Sequence, residues 1–353
     1  MNRITLDSAL RVDGGPPGRI EIPAARMDGF RVRPQLVQVV NALGFREDSG
    51  EAAVLQRGLD YVAARATEVM YPELRAARFF PTIAEVPIGA RTFTFAVMDR
   101  QGVARRVTGN GDDLPNAGVT LSEVTSGIGS YGAQYGWTTE ELRAFDYANA
   151  NGRGPALSLD TARGDAAQLM IARKIDNICA FGDPEDSRIK GVLNNGNVTV
   201  STAAINWNSA TYSELLSEMI ALANEPVTVS KEVFRPDSIL LPTTYLQLVQ
   251  SVQNAQGTKS VLEAFNDAMK AADRRVSVES WPLLATADAA GTGPRAVSYV
   301  RDVEMAGLII PAIFLPQPPQ AKGLRWQIPC EGLCGGAAVR APLSMYYRDG
   351  LNG

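Results

Sequence analysis

The sequence of 353 residues contains no histidine at all. That absence removes Ser-His-Asp and Cys-His catalysis, histidine metal sites and histidine general bases. Lysine is scarce: six residues against twenty-eight arginines, with none before Lys174. Long apolar runs are missing too. Nothing approaches the ~20 residues of a membrane helix, and the opening MNRITLDSALRVDGG lacks the apolar stretch of a signal peptide. A soluble chain kept in a reducing cytoplasm is therefore expected. There is no basic excess, and a formal net charge of −4 argues against a surface built to grip nucleic acid. Cysteine occurs three times. Cys179 lies on an apolar helical face in IARKIDNICAFGD and reads as core packing. Cys330 and Cys334, four apart in PCEGLCGG, offer too few ligands for zinc without partners.

Hydrophobic residues make up 45% and charged residues 20%, a globular composition in a chain long enough for a sizeable core. Its chemical motifs fail on inspection. Gly127, Gly129 and Gly132 in TSGIGSYGAQYGWTTEEL match G-x-G-x-x-G, yet a dinucleotide site needs a helix opening inside the motif. Here Tyr131, Ala133, Tyr135 and Trp137 recur at every second position, the period of a strand. The helix start comes later, where Thr138 and Glu141 fit a capping box. NAQGTKS (254–260) misses a phosphate loop twice, because Thr258 separates glycine from lysine and Val252 stands where the first glycine belongs. GDPEDSRIKG lacks the alternation of a calcium loop, and LPQPPQ reads as an extended crossover before a Pro-x-x-Pro ligand. No catalytic residue, cofactor or metal is expected.

Periodicity outlines the organisation. Residues 1–35 read as an extended arm rich in Gly, Pro and Arg. An amphipathic helix follows at about 51–70, with Val54, Leu55, Leu59, Val62, Ala66 and Val69 on one stripe. ARTFTFAVMDRQGVARRVT and VTLSEVTSGIGSYGAQYGW form two long β-arms around the polar tip GNGDDLPNAG. A lone hairpin of that length is marginal in water and exposes its edges, so it is expected to lie across a neighbouring molecule. A short helix from Thr139 is broken by NGRGP. A long helix over 157–181 carries a stripe of Leu159, Ala162, Ala166, Leu169, Ile171, Ile175 and Ile178, and stops at Gly182. Residues 186–322 alternate helices and buried strands; the last thirty residues read as strand-like legs around a glycine-rich turn.

This order, with the stretches LDYVAARATEVMYPELRAARFFP, GARTFTFAVMDRQGVAR, DDLP, YGAQYGWTTEELRAF, ICAFGD…IKGVLNN and GGAAVRAPLSMYYRDGL, resembles the major capsid protein of tailed bacteriophages. The resemblance spans roughly 59–351 and implies the α+β, Hong Kong 97-type fold shared with encapsulins. It further implies an N-terminal arm (1–80), an extended loop (82–137) and a peripheral domain (138–185 with 323–353) around a spine helix. Residues 186–322 would then form an axial domain that meets its copies in pentamers and hexamers. The chain would enclose double-stranded DNA without reading its sequence, in a virion assembled in the bacterial host cytoplasm. Portal, a separate scaffolding protein and a decoration protein are its implied partners. Some relatives weld subunits through a lysine in the extended loop; with no lysine before Lys174, noncovalent contacts are expected instead. Arginine's planar fork suits such interfaces. The candidate intersubunit residues are Arg100, Arg105, Arg106, Asp112, Asp113, Tyr131, Tyr135 and Trp137, and Gly152, Gly154 and Pro155 form a candidate hinge. The rival readings are an encapsulin-like nanocompartment, a histidine-free α/β enzyme, and a tail or baseplate protein.

Overall fold

Strand pairing across large sequence separations decides where the predicted segments come to rest. The computed structural model describes residues 3–7, 19–23, 70–106, 115–150 and 159–352. The helix expected over 51–70 (up to residue 69), the tip acids Asp112 and Asp113, and the break at Gly152, Gly154 and Pro155 lie outside the described residues. The chain divides into two units, Met1–Ala66 and Thr67–Gly353. In the first, β1 (Arg3–Asp7) and β2 (Arg19–Pro23) pair antiparallel, with Arg3 opposite Pro23.

The second unit opens with a single helical turn, α1 (Ala76–Phe79), then β3 (Thr92–Gln101), β4 (Gly118–Gly127) and β5 (Gly129–Thr138). Next come α2 (Thr139–Ala150), α3 (Leu159–Phe181) and β6 (Thr199–Thr202). The α/β block holds α4 (Tyr212–Val229), β7 (Ser238–Leu241), α5 (Thr243–Ser251), α6 (Val261–Ala271), β8 (Ser277–Ser280) and β9 (Arg295–Tyr299). The chain continues through β10 (Ala306–Ile309), β11 (Ala312–Pro316), β12 (Gln320–Lys322), β13 (Arg325–Cys334), β14 (Gly336–Val339) and β15 (Met345–Asp349).

Local chemistry sets the helix limits. Ser260 and Glu263 close a reciprocal capping box ahead of α6, whose Val261, Phe265 and Met269 repeat every four residues and are buried. Thr211 and Glu214 do the same for α4. That helix carries Pro226 inside it and runs on to Val229. α3 stops at Gly182, whose amide returns to Ile178 O at 2.7 Å. Its φ of +83° and the Ile189 carbonyl 2.5 Å from where a Cβ would sit leave glycine as the fitting residue.

A five-stranded mixed sheet, ordered β6-β15-β9-β7-β8, divides the core. β7 reads SILL and is buried throughout because both faces are covered. Ile239 and Leu241 join Leu215, Met219, Leu222 and Phe265 from α4 and α6 on one side. Leu240 joins Ile171, Ile175 and Ile178 of α3, with Trp281 and Tyr299, on the other. Each such fully buried side chain is worth roughly 1.5–3 kcal/mol. α1 locks onto this second cluster. Phe80 lies 4.4 Å from the Tyr299 ring, the Tyr299 hydroxyl donates to Phe79 O at 2.9 Å, and Ala76 N donates to Asp176 Oδ1 at 2.8 Å.

A second sheet is centred on β13, which pairs with β5 along one edge and with β11 and β12 along the other. α3 packs against it through Ile171 and Ile175, with Ile328 and Cys330 beneath. Gly332 permits that contact. A methyl there would stand 2.6 Å from Ile171 Cγ2 and 2.7 Å from Ile313 O.

Candidate assembly surfaces

β3 and β4 form an antiparallel ribbon from Thr92↔Gly127 at its root to Gln101↔Gly118 towards its tip. Directly opposed residues share a face, so the register sorts the side chains. One face carries Phe93, Phe95 and Val97 with Ser122, Val124 and Ser126; the other carries Thr94, Ala96, Met98 and Arg100 with Val119, Leu121, Glu123 and Thr125. Phe93 and Phe95 pack at the root against Ile83, Val86, Ile309 and Ala338. Ser126, also buried, has its hydroxyl within hydrogen-bond distance of Gly335 O (3.1 Å) and Arg188 O (3.2 Å). Ile128 N then donates to Arg91 O at 2.9 Å and closes the root.

Beyond that root the ribbon stands clear of its own unit. Asp99 to Gln101 and Gly118 to Thr125 are all exposed. Met98, Val119 and Leu121 are exposed by 60%, 62% and 59%, and they lie side by side on one face. Monomeric proteins seldom leave neighbouring large apolar side chains in water without an interaction to make. The alternation of Ala96 and Met98 in one strand, and of Val119 and Leu121 in the other, is the sequence signal for this strip. Only the register shows that the two pairs coincide.

The sequence reading carries the extended loop to residue 137. The pairing ends the ribbon at Gly127, and after Ile128 the chain leaves it to become β5, paired residue for residue with β13 from Gly129↔Cys334 to Thr138↔Arg325. Of the fingerprint glycines only Gly132, joined by Gly136 further on, serves a close backbone approach, and the neighbour is β13 of the same chain. A Cβ on Gly136 would collide with the Trp326 carbonyl, and one on Gly132 would lie 3.3 Å from Cys330 O. Tyr131, Tyr135 and Trp137, expected at an intersubunit contact, pack on the core cluster of their own chain under α3. The Tyr131 hydroxyl donates to Asp183 Oδ2 at 2.6 Å, and burial followed by that carboxylate pushes its pKa far up. Tyr135 lies against Gly164 of α3, where a Cβ would be 3.5 Å from its hydroxyl. These rings face inward because β5 has a partner on the sheet and a helix above it.

Arginine–carboxylate pairs brace the joints. The expected capping box stands at the start of α2: Glu141 N donates to Thr138 Oγ1 at 3.2 Å, and Thr138 N donates to Glu141 Oε2 at 3.0 Å. Arg163 of α3 adds both guanidinium nitrogens to the Glu141 carboxylate and also donates to Gly136 O, joining α2, α3 and β5. That guanidinium, with the Thr138 amide, holds the Glu141 carboxyl at about 2, well below its ordinary 4.5. Arg188 likewise holds Asp186 at about 2, at the ribbon root. Deeper inside, Arg295 grips Asp349 in a bidentate pair at 2.5 and 2.6 Å, over the Tyr347 ring. Sequence reasoning missed Arg163–Glu141 and Arg295–Asp349, whose partners lie 22 and 54 residues apart.

Of the charged candidates, Arg100 sits on the ribbon face that bears the apolar strip, opposite Val119, and Arg105 and Arg106 are exposed beyond Gln101. Among the described residues no group of three or more metal-ligating side chains could hold an ion. No helix there is long and apolar enough to cross a membrane.

The described residues thus combine an anchored ribbon with a bare distal half, a long helix and a mixed core of three clusters. The sequence matches the family model described as Major capsid protein over residues 102–351. The chain belongs to the major capsid protein family. No curated protein matches the sequence of this capsid protein. Its fold matches solved capsids throughout. The capsid of Myoviridae phage XM1 superposes with a TM-score of 0.72 at 16% identity, covering 84% of this chain and 98% of that one. A Mycobacterium phage Bobi chain gives 0.58 at 12%, covering 86% and 99%. The capsid of a native GTA particle gives 0.55 at 12%, again covering 86% and 99%. At such identities the likeness is one of fold, the α+β Hong Kong 97-type capsid fold. The capsid protein is a structural component of a phage-type shell.

Proposed function

We propose that this capsid protein self-assembles through noncovalent contacts, as pentamers and hexamers, into the icosahedral head of a tailed bacteriophage that encloses double-stranded DNA. The observation that carries the reading is the ribbon: rooted by Phe93, Phe95 and Ser126, it spends its distal half on nothing in its own unit. In this reading β3 and β4 are the extended loop, α3 is the spine helix of the peripheral domain, and the five-stranded sheet with α4 to α6 is the axial domain; that sheet also takes in β15, which the sequence expectation had given to the peripheral domain with the rest of 323–353. The strip of Met98, Val119 and Leu121 lies on a neighbouring subunit, with Arg100, Arg105 and Arg106 at its margin. The tip acids Asp112 and Asp113 belong to the same contact, and Gly152, Gly154 and Pro155 form the hinge ahead of the spine.

The ribbon has no lysine, so burial and ion pairs hold the shell. An acidic chain suits a container that must not grip its contents. Assembly takes place in the host cytoplasm with a portal and a separate scaffolding protein, a decoration protein being an optional addition; the role is structural and involves no catalysis.

Expression of the chain alone, followed by a sucrose gradient and negative-stain imaging of the fast fraction, tests the reading. Closed shells, or pentamers and hexamers that close once neighbouring phage genes are co-expressed, are expected. A monomer that stays monomeric with those genes present overturns it. Packaged protein in place of DNA would move the shell to the nanocompartment class.

A further inference from the structure

Cys179 of α3 and Cys334 at the end of β13 meet inside the core with their sulfurs 3.6 Å apart and neither side chain exposed. They are 155 residues apart in sequence, so nothing in the spacing of the cysteines announces the pair. The sequence draws attention to Cys330 and Cys334 instead. Four residues along one extended strand place their Cα atoms roughly 13 Å apart, and a disulfide needs less than about 7 Å. That pairing is excluded. Cys330 has its sulfur 3.8 Å from Ile328 O and no second thiol in contact.

We infer that Cys179 and Cys334 form an intrasubunit disulfide, made by exchange with a low-molecular-weight disulfide once the protein leaves a reducing environment. The timing rests on the shell reading; the pairing rests on the geometry alone. Closing the gap from 3.6 Å to a bond of about 2.05 Å asks each sulfur to move under ~1 Å, within reach of side-chain rotation. The two thiols are not equivalent. The hydrogen bond between the two thiols, together with the Gly336 amide donating to the Cys334 sulfur at 3.3 Å, draws Cys334 below its ordinary pKa against the opposing effect of burial. Cys179 is pushed well above its own by that contact and by burial. With the Gly336 amide aimed at its sulfur, Cys334 is the thiol placed to attack first, as the thiolate.

The electrons balance as two exchanges. The Cys334 thiolate attacks one sulfur of the small disulfide, the S–S bond breaks, and one small thiolate leaves. Cys179 then gives up its proton and attacks the Cys334 sulfur of the mixed disulfide, expelling the second small thiolate. Two protein thiols are oxidised to one S–S bond, and the small disulfide is reduced to two thiols. Because both sulfurs are buried, entry of the oxidant requires a local opening between α3 and the β13–β14 corner, which makes the reaction slow in the folded chain. The product ties the last turn of the helix to the sheet beneath it.

The test uses the purified full-length protein in two portions, one kept in dithiothreitol and one incubated with oxidised glutathione. Each is then denatured in N-ethylmaleimide and weighed intact. Three maleimide groups are expected on the reduced portion. The oxidised portion should carry one, on Cys330, with a non-reduced peptide pair joining the Cys179 and Cys334 segments. Cys330→Ser keeps the cross-link and Cys179→Ala abolishes it, folding of each variant being checked by circular dichroism. Three labels on both portions, a cross-link that includes Cys330, or a glutathione adduct left unresolved on Cys334 would each overturn the inference. None of these readouts depends on shell formation, so failure here is distinct from failure of the assembly reading.

Discussion

Leu121→Asp is the sharpest probe of the ribbon. Full burial of a Leu, Val or Met side chain is worth roughly 1.5–3 kcal/mol. Met98, Val119 and Leu121 still have about three fifths of that to gain, so covering them yields roughly 1–2 kcal/mol each, about 3–5 kcal/mol per ribbon. The substitution removes the Leu121 share and forces an unpaired carboxylate against an apolar surface, a further cost of about 1–3 kcal/mol. With ~1.4 kcal/mol per factor of ten, the subunit concentration needed for assembly should rise at least tenfold. The isolated subunit should not notice, because exposed substitutions usually shift stability by less than about 0.5 kcal/mol. Light scattering against subunit concentration reads the first quantity and a circular dichroism melt reads the second. Thr120→Asp is the control, since the neighbouring residue points to the opposite face; its effect should be much smaller. Assembly of Leu121→Asp at the wild-type concentration would refute the idea that this face is covered in the shell.

Three other outcomes follow from the same structure. Asp349→Asn leaves Arg295, only 2% exposed, without its counter-charge; subunit stability should fall by about 3–5 kcal/mol in denaturant unfolding, and a change below ~1 kcal/mol would show that the pair contributes little. Gly332→Ala drives a methyl into Ile171 and the Ile313 carbonyl, and thermal melts should report about 1–3 kcal/mol of overpacking; an unshifted melt would mean that α3 moves aside freely. Glu141 and Asp186 have folded pKa values of about 2, below their ordinary 4.5 and 3.8. Their stabilisation is therefore complete above about pH 4.5 and is lost as pH falls towards 2. Glu141→Gln should flatten the acid loss across that window, and a carboxyl titrating near 4.5 in an NMR pH series would contradict the Arg163 contact.

Elements whose signal is local were legible in the sequence. The stripe of Ile171, Ile175 and Ile178 and the stop at Gly182 defined α3, and Thr138 with Glu141 marked the start of α2. Two-sided burial explains why SILL reads as an unbroken apolar run. What escaped was pairing. β4 and β5 share one alternating pattern that runs straight across Ile128, and nothing in their period says that one belongs to the ribbon and the other to a strand nearly 200 residues later. For that reason the aromatic trio is expected at an intersubunit contact but lies instead on the core of its own chain. The same non-locality hid Arg295–Asp349 and the two facing thiols. Register, which no periodicity contains, also decides which ribbon face is apolar.

The order in which the ribosome delivers the chain now matters. β15 lies inside the five-stranded sheet, between β6 and β9, and β13 lies inside the other, yet both emerge after residue 324. A nascent chain can form its early helices, but neither sheet can close until its interior strand arrives. Translation stalled just short of Met345 leaves β6 and β9 without the strand that joins them, and the core without Met345, Tyr346, Tyr347 and Leu351. In the proposed assembly completeness is thereby checked before recruitment: the growing particle is offered finished building blocks, and a prematurely terminated copy is expected to stay out of it.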